Sequence, residues 1–163
     1  MNALVGRGLA GHDLFPDFAG RFCLAGAAPM TAIVLFAHGS RDPAWQRPML
    51  AVAQRIRDQI PHAWVACAYL ELTEPSLSQA VAQAVEEGYL HIRVLPMFLG
   101  VGKHVREDLP ILMAQLQAQH PHVQFDLQAA VGEQAAVLDT LALAATMDMG
   151  LQPVPAQPAK APP

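Results

Sequence analysis

Three side chains of the kind that bind divalent metal ions follow three apolar runs of this sequence. His38 follows "AIVLFA", Glu71 follows "WVACAYL", and His104 comes shortly after "IRVLPMFL". Imidazole and carboxylate groups together suit ions such as Co²⁺, Fe²⁺, Ni²⁺ and Zn²⁺, and an imidazole can also transfer a proton near neutral pH. Three protein ligands leave coordination positions open, which a site that exchanges a metal or catalyses a reaction requires.

The three apolar runs have the features of buried strands, and helical patterns lie between them. Continuous apolar runs are typical of parallel strands that are covered on both faces. The alternation predicts an α/β fold with three αβα layers around a four-stranded, mainly parallel sheet. The predicted strands are 32–37, 64–70, 92–99 and 123–128, and the predicted helices begin near Asp42, Pro75, Asp108 and Glu133.

The carboxyl ends of parallel strands meet at one edge of a sheet, and ligand sites form there. We therefore expect His38, Glu71 and His104 to lie at the same edge, and Gly39 to let the backbone turn close to a ligand. The residue types alone leave another interpretation open. A histidine after a strand is often a structural turn residue, and Glu71 alone would be a solvated loop carboxylate.

Hydroxyl and basic side chains share the predicted edge and form a candidate anion-binding group. The chain has 163 residues and a formal net charge of −4, and a local basic cluster can oppose that overall sign. Taken alone, the basic residues would be a surface charge group. The candidates are Ser40, Arg41, Lys103 and Arg106.

The bulk composition excludes several classes of protein. Hydrophobic residues make up 53% of the chain and charged residues 15%, and no apolar run approaches the roughly 20 residues of a membrane-spanning helix. The acidic balance argues against a general nucleic-acid binder. Cys23 and Cys67 form neither a metal-binding pair nor a disulfide framework, which favours a reducing cytoplasm.

The two ends of the chain differ in composition from its middle. Residues 1–29 are rich in Gly and Ala without clear periodicity, and we expect a flexible extension or an upstream start choice. Residues 149–163 are rich in proline and predict a disordered tail. The folded domain is expected over 30–148.

Three motifs resemble those of a known enzyme family. "HGSRDP", "YLELTEPSL" and "VLPMFLGVGKHVREDLP" occur in this order after or across the ends of the first three predicted strands. The patterns H-G-S-R, E-L-x-E-P and G-x-H-x-x-x-D-x-P are similar to those of small, single-domain sirohydrochlorin chelatases of the CbiX type. These lyases insert cobalt or iron into a tetrapyrrole during cobalamin or siroheme biosynthesis. The resemblance covers residues 31–131.

The resemblance implies a chelatase-like fold, similar to one half of a flavodoxin-like two-domain chelatase. It implies a homodimer with the tetrapyrrole in a cleft near the sheet edge. The divalent metal would be a substrate, Co²⁺ first with Fe²⁺ or Ni²⁺ as alternatives, and no organic cofactor is expected. The metal-binding and catalytic residues would be His38, Glu71 and His104, and the many carboxylates of sirohydrochlorin make Ser40, Arg41, Lys103 and Arg106 candidates for substrate binding.

Two other functions fit parts of the pattern. A histidine phosphatase also has a His-Gly pair after its first strand, but its chemistry needs an arginine before the histidine, where this chain has Ala37. A non-catalytic metal or tetrapyrrole carrier on the same fold would need the same ligands and cleft. Turnover distinguishes the carrier from the chelatase.

Overall fold

The computed structural model describes residues 30–147, and for Lys103 and His104 it describes the backbone alone. These residues form a four-stranded sheet in the order β2–β1–β3–β4, and every neighbouring pair is parallel. The predicted α/β fold is confirmed, and the sheet is wholly parallel rather than mainly parallel. The expected extension 1–29 and tail 149–163 lie outside the described residues. The strands are β1 (Thr31–Ala37), β2 (Trp64–Tyr69), β3 (His91–Pro96) and β4 (Gln124–Leu127).

Helices follow each strand, and local capping sets where two of them begin. Asp42 accepts a hydrogen bond from the Ala44 amide at 2.8 Å, as predicted, although the first turn is a 3₁₀ turn (Pro43–Gln46) that continues into the helix. Ser76 and Gln79 form a reciprocal capping box for the second helix. The helices are α1 (Arg47–Gln59), α2 (Leu77–Glu86), α3 (Lys103–Gln119) and α4 (Ala135–Thr146).

Three predicted helix starts were wrong. The last helix begins at Ala135 rather than at Glu133, because a separate 3₁₀ turn (Val131–Glu133) precedes it. The second helix begins at Leu77 rather than at Pro75, because Ser76 is its N-cap. The third begins at Lys103, five residues before the expected Asp108. Val105 is buried one turn before Leu109, so the apolar face of this helix extends further towards its N-terminus than its later leucines indicate.

The helices cover the two faces of the sheet unequally. Helices α2 and α3 pack on one face, where a large core includes Phe36, Leu77, Ile92 and Leu116. Helix α1 packs on the opposite face over β1 and β2, with a smaller core around Leu35, Met49, Ala53 and Tyr69. We call the part of this second face that lies over β3 and β4 the open face.

Helix α4 contributes no residue to either core. It follows a 3₁₀ turn (Val131–Glu133) after β4, and its described contacts are mainly with that turn. Within the described residues, no helix combines the length and apolar character needed to cross a bilayer.

Candidate metal and tetrapyrrole site

The strand order brings the predicted metal ligands to the ends of three adjacent strands. His38 directly follows the inner strand β1, Glu71 comes two residues after the neighbouring β2, and His104 lies in the first turn of α3, which follows β3. After β1 the chain moves to β2 on one side of it. The connection from β2 then crosses back over β1 to reach β3 on the other side. The switch in direction between β1 and β3 opens a crevice, the usual ligand position in such sheets.

The segments that follow β1 and β2 are joined through their backbones. The Leu70 amide donates to the Ala37 carbonyl at 2.8 Å, and the Glu71 amide donates to the His38 carbonyl at 2.9 Å. Pairing between these strands therefore continues as far as the two candidate ligands. The backbone positions of His38 and Glu71 are fixed relative to each other before any metal binds.

Gly39 makes this junction possible. Its φ is +95°, which a side chain strongly disfavours, and a Cβ at this position would lie 1.9 Å from the Glu71 carbonyl oxygen. We expected Gly39 to let the backbone approach a ligand. The structure shows a close approach to the backbone of Glu71, so the glycine lets the two loops touch, and its approach to a ligand stays a prediction.

Ser40 and Thr73 tie the same two loops together further from the sheet. The Ser40 amide donates to Thr73 Oγ1 at 3.1 Å, and that hydroxyl donates to the Ser40 carbonyl at 2.7 Å. The Ser40 hydroxyl accepts from the Asp42 amide at 3.1 Å, which leaves its own hydrogen free to donate. Arg41 is exposed between these anchored residues, at the same edge.

Phe98 contacts the ring of His38 and was not among the predicted site residues. The two ring centroids lie 4.7 Å apart with the planes at 62°, and Phe98 also packs edge-on against Phe36 of the core. One side of the His38 imidazole is therefore covered by a buried aromatic ring, while the residue itself is exposed. The sequence signal that could have identified Phe98 is an aromatic residue two positions after the end of β3. The predicted strand 92–99 included this residue and so hid that signal.

The segment between β3 and α3 is anchored at its start, where the Met97 amide donates to the Phe36 carbonyl at 2.7 Å and the Phe98 carbonyl accepts from the Gly132 amide at 3.0 Å. The residues beyond Phe98 have open space around them. They include Gly100 and Gly102, and a Cβ at either position would meet no atom within 4 Å. Gly102 is the N-cap of α3 and provides no side-chain cap. Lys103 and His104 are the first two residues of that helix rather than loop residues, and their side chains lie outside the described part of the structure.

An apolar pocket of about 180 Å³ opens next to this segment. Phe98 forms part of its wall, so the pocket adjoins the residue that covers the His38 ring. Arg106 and Glu133 supply its charged groups. Its apolar lining includes Val101, Val105, Leu109, Leu127 and Ala130.

Two titratable groups lie in β2 beneath the joined loops. Burial is the main cause that raises the pKa of the Cys67 thiol above its usual value of 9.0, against the opposing charge of Arg57. Burial and the neighbouring Cys67 raise the pKa of Tyr69 above 10.0. Both groups are therefore neutral at physiological pH and act as parts of the core.

The described side chains do not by themselves complete a metal site. Among residues 30–147, with the side chains of 103 and 104 outside the description, no three His, Cys, Asp or Glu side chains converge as metal ligands would. The fold brings together the backbone positions of His38 and Glu71 and places His104 across the crevice. Of the predicted anion-binding residues, Ser40 and Arg41 lie on the first loop and Arg106 lies in the first turn of α3.

Comparison with known proteins identifies the family. The CbiX family model matches residues 32–146, which is most of the chain. The chain belongs to the CbiX family. A solved structure of a CbiX protein from Marinobacter aquaeolei superposes with a TM-score of 0.65 at 31% identity, covering 73% of this chain and 97% of that one.

Curated relatives of this CbiX chain are sirohydrochlorin chelatases. It is 34% identical over 91 residues to the sirohydrochlorin cobaltochelatase of Methanocaldococcus jannaschii, which covers 56% of this chain and 64% of that one. It is 27% identical over 101 residues to the sirohydrochlorin ferrochelatase of Bacillus subtilis, which covers 62% of this chain and 39% of that one. The chain thus spans less than two thirds of the length of either relative.

Proposed function

We propose that this chain is a sirohydrochlorin chelatase that inserts Co²⁺ or Fe²⁺ into the tetrapyrrole. The observation that carries the proposal is the placement of His38, Glu71 and His104 after three adjacent strands, at the switch point of a parallel sheet. Family membership and the activities named for the curated relatives support the same reaction.

His38, Glu71 and His104 hold the metal ion in this proposal. Two imidazoles and one carboxylate bind Co²⁺ or Fe²⁺ but leave positions from which water and then the macrocycle nitrogens can coordinate. Ligation without a thiolate is suited to a metal that must leave the protein, because softer thiolates would retain it more strongly. The metal is a substrate of the reaction, with Ni²⁺ as a further candidate, and no organic cofactor takes part.

Insertion also requires the removal of two protons from pyrrole nitrogens. An imidazole or a carboxylate that has released the metal can accept a proton, so the same three residues can serve as bases. Phe98 covers one side of His38 and limits the directions from which metal or substrate reaches its ring. In this proposal the uncovered side of the ring is the one that meets the metal and the macrocycle.

The carboxylates of sirohydrochlorin need cationic partners on a chain whose net charge is −4. Arg41 on one side of the crevice, and Lys103 and Arg106 on the other, supply three positive charges from two elements. The Ser40 hydroxyl can donate a further hydrogen bond. Binding from both sides would orient the macrocycle over the metal ligands.

The proposal includes a homodimer located in the cytoplasm. The Bacillus subtilis ferrochelatase is more than twice as long as its segment that matches this chain. Two paired copies of this chain would therefore contain about as many folded residues as that one longer protein. The absence of a disulfide framework among the cysteines, Cys23 and Cys67, is consistent with a reducing compartment.

The decisive experiment is a turnover assay with sirohydrochlorin and each of Co²⁺, Fe²⁺ and Ni²⁺ under anaerobic conditions. The absorbance change on metal insertion is followed with the metal and tetrapyrrole in large excess over protein. We expect many insertions per chain, at a rate well above that of the metal and tetrapyrrole alone. A carrier would bind in a fixed ratio without accelerating insertion, and that result would reject the chelatase assignment.

A further inference from the structure

Leu72 has a backbone conformation that its side chain disfavours. Its φ is +62°, and among residues 30–147 it is the only residue other than glycine with a positive φ. A bulky side chain makes this left-handed conformation costly, whereas glycine adopts it freely. Burial does not offset the cost, because the Leu72 side chain is 55% exposed and belongs to neither core. The fold therefore holds a strained backbone at a leucine that it leaves in contact with water.

The residues on both sides of Leu72 are tied to the loop that follows β1. Before it, the Glu71 amide donates to the His38 carbonyl at 2.9 Å. After it, the Thr73 hydroxyl donates to the Ser40 carbonyl at 2.7 Å. A strained residue persists only where its surroundings fix the backbone, and such residues cluster at functional sites. These anchors keep Leu72 exposed directly beside the candidate metal ligand Glu71.

Leu99 is a second exposed leucine at the carboxyl edge of the sheet. It comes three residues after β3 ends, and its side chain is 66% exposed. Its backbone position is set by the preceding residue, because the Phe98 carbonyl accepts a hydrogen bond from the Gly132 amide at 3.0 Å. Since β1 lies between β2 and β3, Leu72 and Leu99 follow the two strands that flank the one leading to His38.

The edge of the sheet thus carries two kinds of exposed group, apolar and cationic. Leu72 and Leu99 are the apolar groups, and Arg41 and Arg106 are exposed cations on the first loop and in the first turn of α3. Sirohydrochlorin has the matching distribution, since the two faces of its conjugated ring are apolar and its carboxylates lie at the rim. A ring face that covers exposed leucines removes apolar surface of both partners from water, which favours binding.

We propose that Leu72 and Leu99 are substrate-binding residues that support one face of the macrocycle on either side of His38. The strained backbone at Leu72 serves this contact by holding an apolar side chain beside the metal ligands. The inference rests on the proposed function and identifies the apolar groups that recognise the tetrapyrrole. Such a contact is made equally before and during metal insertion, so its loss raises KM and leaves kcat unchanged.

Insertion kinetics with sirohydrochlorin and Co²⁺ test this role on the full chain. Leu72→Ala and Leu99→Ala should each raise KM for sirohydrochlorin by about tenfold, the lower end of the effect of an apolar group in a binding site, and leave kcat within about twofold. The matched control is Leu90→Ala, at a 52% exposed position immediately before β3, at the amino edge of the sheet. The control should have the KM of the parent. An unchanged KM in either Leu72→Ala or Leu99→Ala, or an equal rise in the control, would overturn the proposal.

Binding measured without turnover separates this proposal from the chelatase assignment. Titration of metal-free sirohydrochlorin, followed by its fluorescence, should give a Kd that is raised about as much as KM in Leu72→Ala and Leu99→Ala. Co²⁺ alone should bind both variants as it binds the parent, and a loss of Co²⁺ binding would show that the leucines shape the metal site instead. Weaker tetrapyrrole binding in the variants, with no turnover by the parent, would reject the chelatase and keep the apolar support. Turnover with unweakened binding would do the reverse.

Salt and a glycine variant test the kind of contact that Leu72 makes. Because salt screens charges but not apolar contacts, the loss of binding in Leu72→Ala should persist at about 1 M salt, whereas the loss in Arg41→Ala should shrink. Leu72→Gly removes the same side chain and also relieves the backbone, so it should bind as weakly as Leu72→Ala but melt at a higher temperature. A loss that salt abolishes, or a lower melting temperature in Leu72→Gly than in Leu72→Ala, would overturn the proposal, because Leu72 would then act through its neighbours or hold the loop. Circular dichroism identifies a variant that fails to fold, in which case Leu99→Ala still decides the outcome.

Discussion

The two sides of the candidate site differ in how firmly the fold holds them. On the β1–β2 side, backbone hydrogen bonds of 2.8 and 2.9 Å, the Gly39 contact and the Ser40–Thr73 pair fix the loops that carry His38 and Glu71. On the β3–α3 side, Gly100 and Gly102 have free space around them, and His104 follows on an uncapped helix start. The β1–β2 side is therefore formed before the metal binds, whereas the β3–α3 side has open space in which it can move.

This difference suits a reaction in which a metal must bind and then leave. A fixed pair of ligands defines where the ion sits, because preorganised groups need no rearrangement to bind it. A third ligand on a more adaptable segment can release the ion as the macrocycle takes over its coordination. The comparison predicts that substitutions in the contacts that join the β1 and β2 loops affect folding and activity together, whereas those on the β3–α3 side affect activity alone.

The largest effect is expected from removing a histidine on either side. His38→Ala and His104→Ala should each lower kcat for metal insertion by about 10²–10⁴-fold, the range that a positioned acid–base group contributes. Both variants should keep the fold, because His38 is exposed and His104 opens a helix. Initial rates of insertion at saturating metal give the measurement.

His91→Ala is the matched control for these variants. His91 begins β3 and so lies at the opposite, amino edge of the sheet. Its substitution should leave the insertion rate within a few-fold of the parent. A large loss in His91→Ala with none in His104→Ala would show that the site had been assigned to the wrong edge.

The next largest effect is expected when the same substitution, glycine to alanine, is made on the rigid side and on the adaptable side of the site. Gly39→Ala forces a side chain into a left-handed conformation, at about 1–3 kcal/mol for the backbone alone, and against the Glu71 carbonyl. Thermal denaturation should show a melting temperature lowered by several degrees, together with slower metal insertion. Gly100→Ala meets no neighbouring atom and should melt with the parent; equal melting of both variants would contradict the comparison.

A smaller effect is expected where the two loops are joined by a hydroxyl. Thr73→Val keeps the shape of the side chain but removes both hydrogen bonds to the Ser40 backbone, at a cost of about 1 kcal/mol. Urea unfolding gives the stability change, and KM for sirohydrochlorin should rise more than kcat falls, because Arg41 loses its anchored neighbour. Thr73→Ser retains the hydroxyl and should behave as the parent does.

Much of this arrangement could be predicted from the sequence because it depends on short-range patterns. Apolar runs of six to eight residues predicted the first three strands to within three residues, and their alternation with helices predicted a parallel sheet, though not the order of its strands. Strand polarity then placed His38 and Glu71 at one edge. These inferences need only the local period of apolar residues and the rule that parallel strands share a direction.

Contacts between distant segments could not be predicted in this way. The contact of Gly39 with the Glu71 carbonyl was not predicted, since nothing in the local sequence identifies that atom as its neighbour. Phe98 was counted as a strand residue, although its ring packs on His38, sixty residues earlier. Helix α4 has an apolar composition that favours burial, yet Leu138, Leu141 and Leu143 are exposed in the structure.

The smallest expected effect concerns pH and again tests the β1–β2 side, where Cys67 and Tyr69 lie under the joined loops. Burial raises the pKa of both groups in the folded protein, so the unfolded chain loses these protons first as the pH rises. The stability they contribute is therefore fully present below the ordinary thiol value of 9.0 and declines above it. Urea unfolding at about pH 8 and about pH 10 should give a lower free energy of unfolding at the higher pH, and a smaller decline in Cys67→Ala. An equal decline in the variant would mean that the alkaline loss arises elsewhere, and that the half-buried thiol does not help to hold this side of the site.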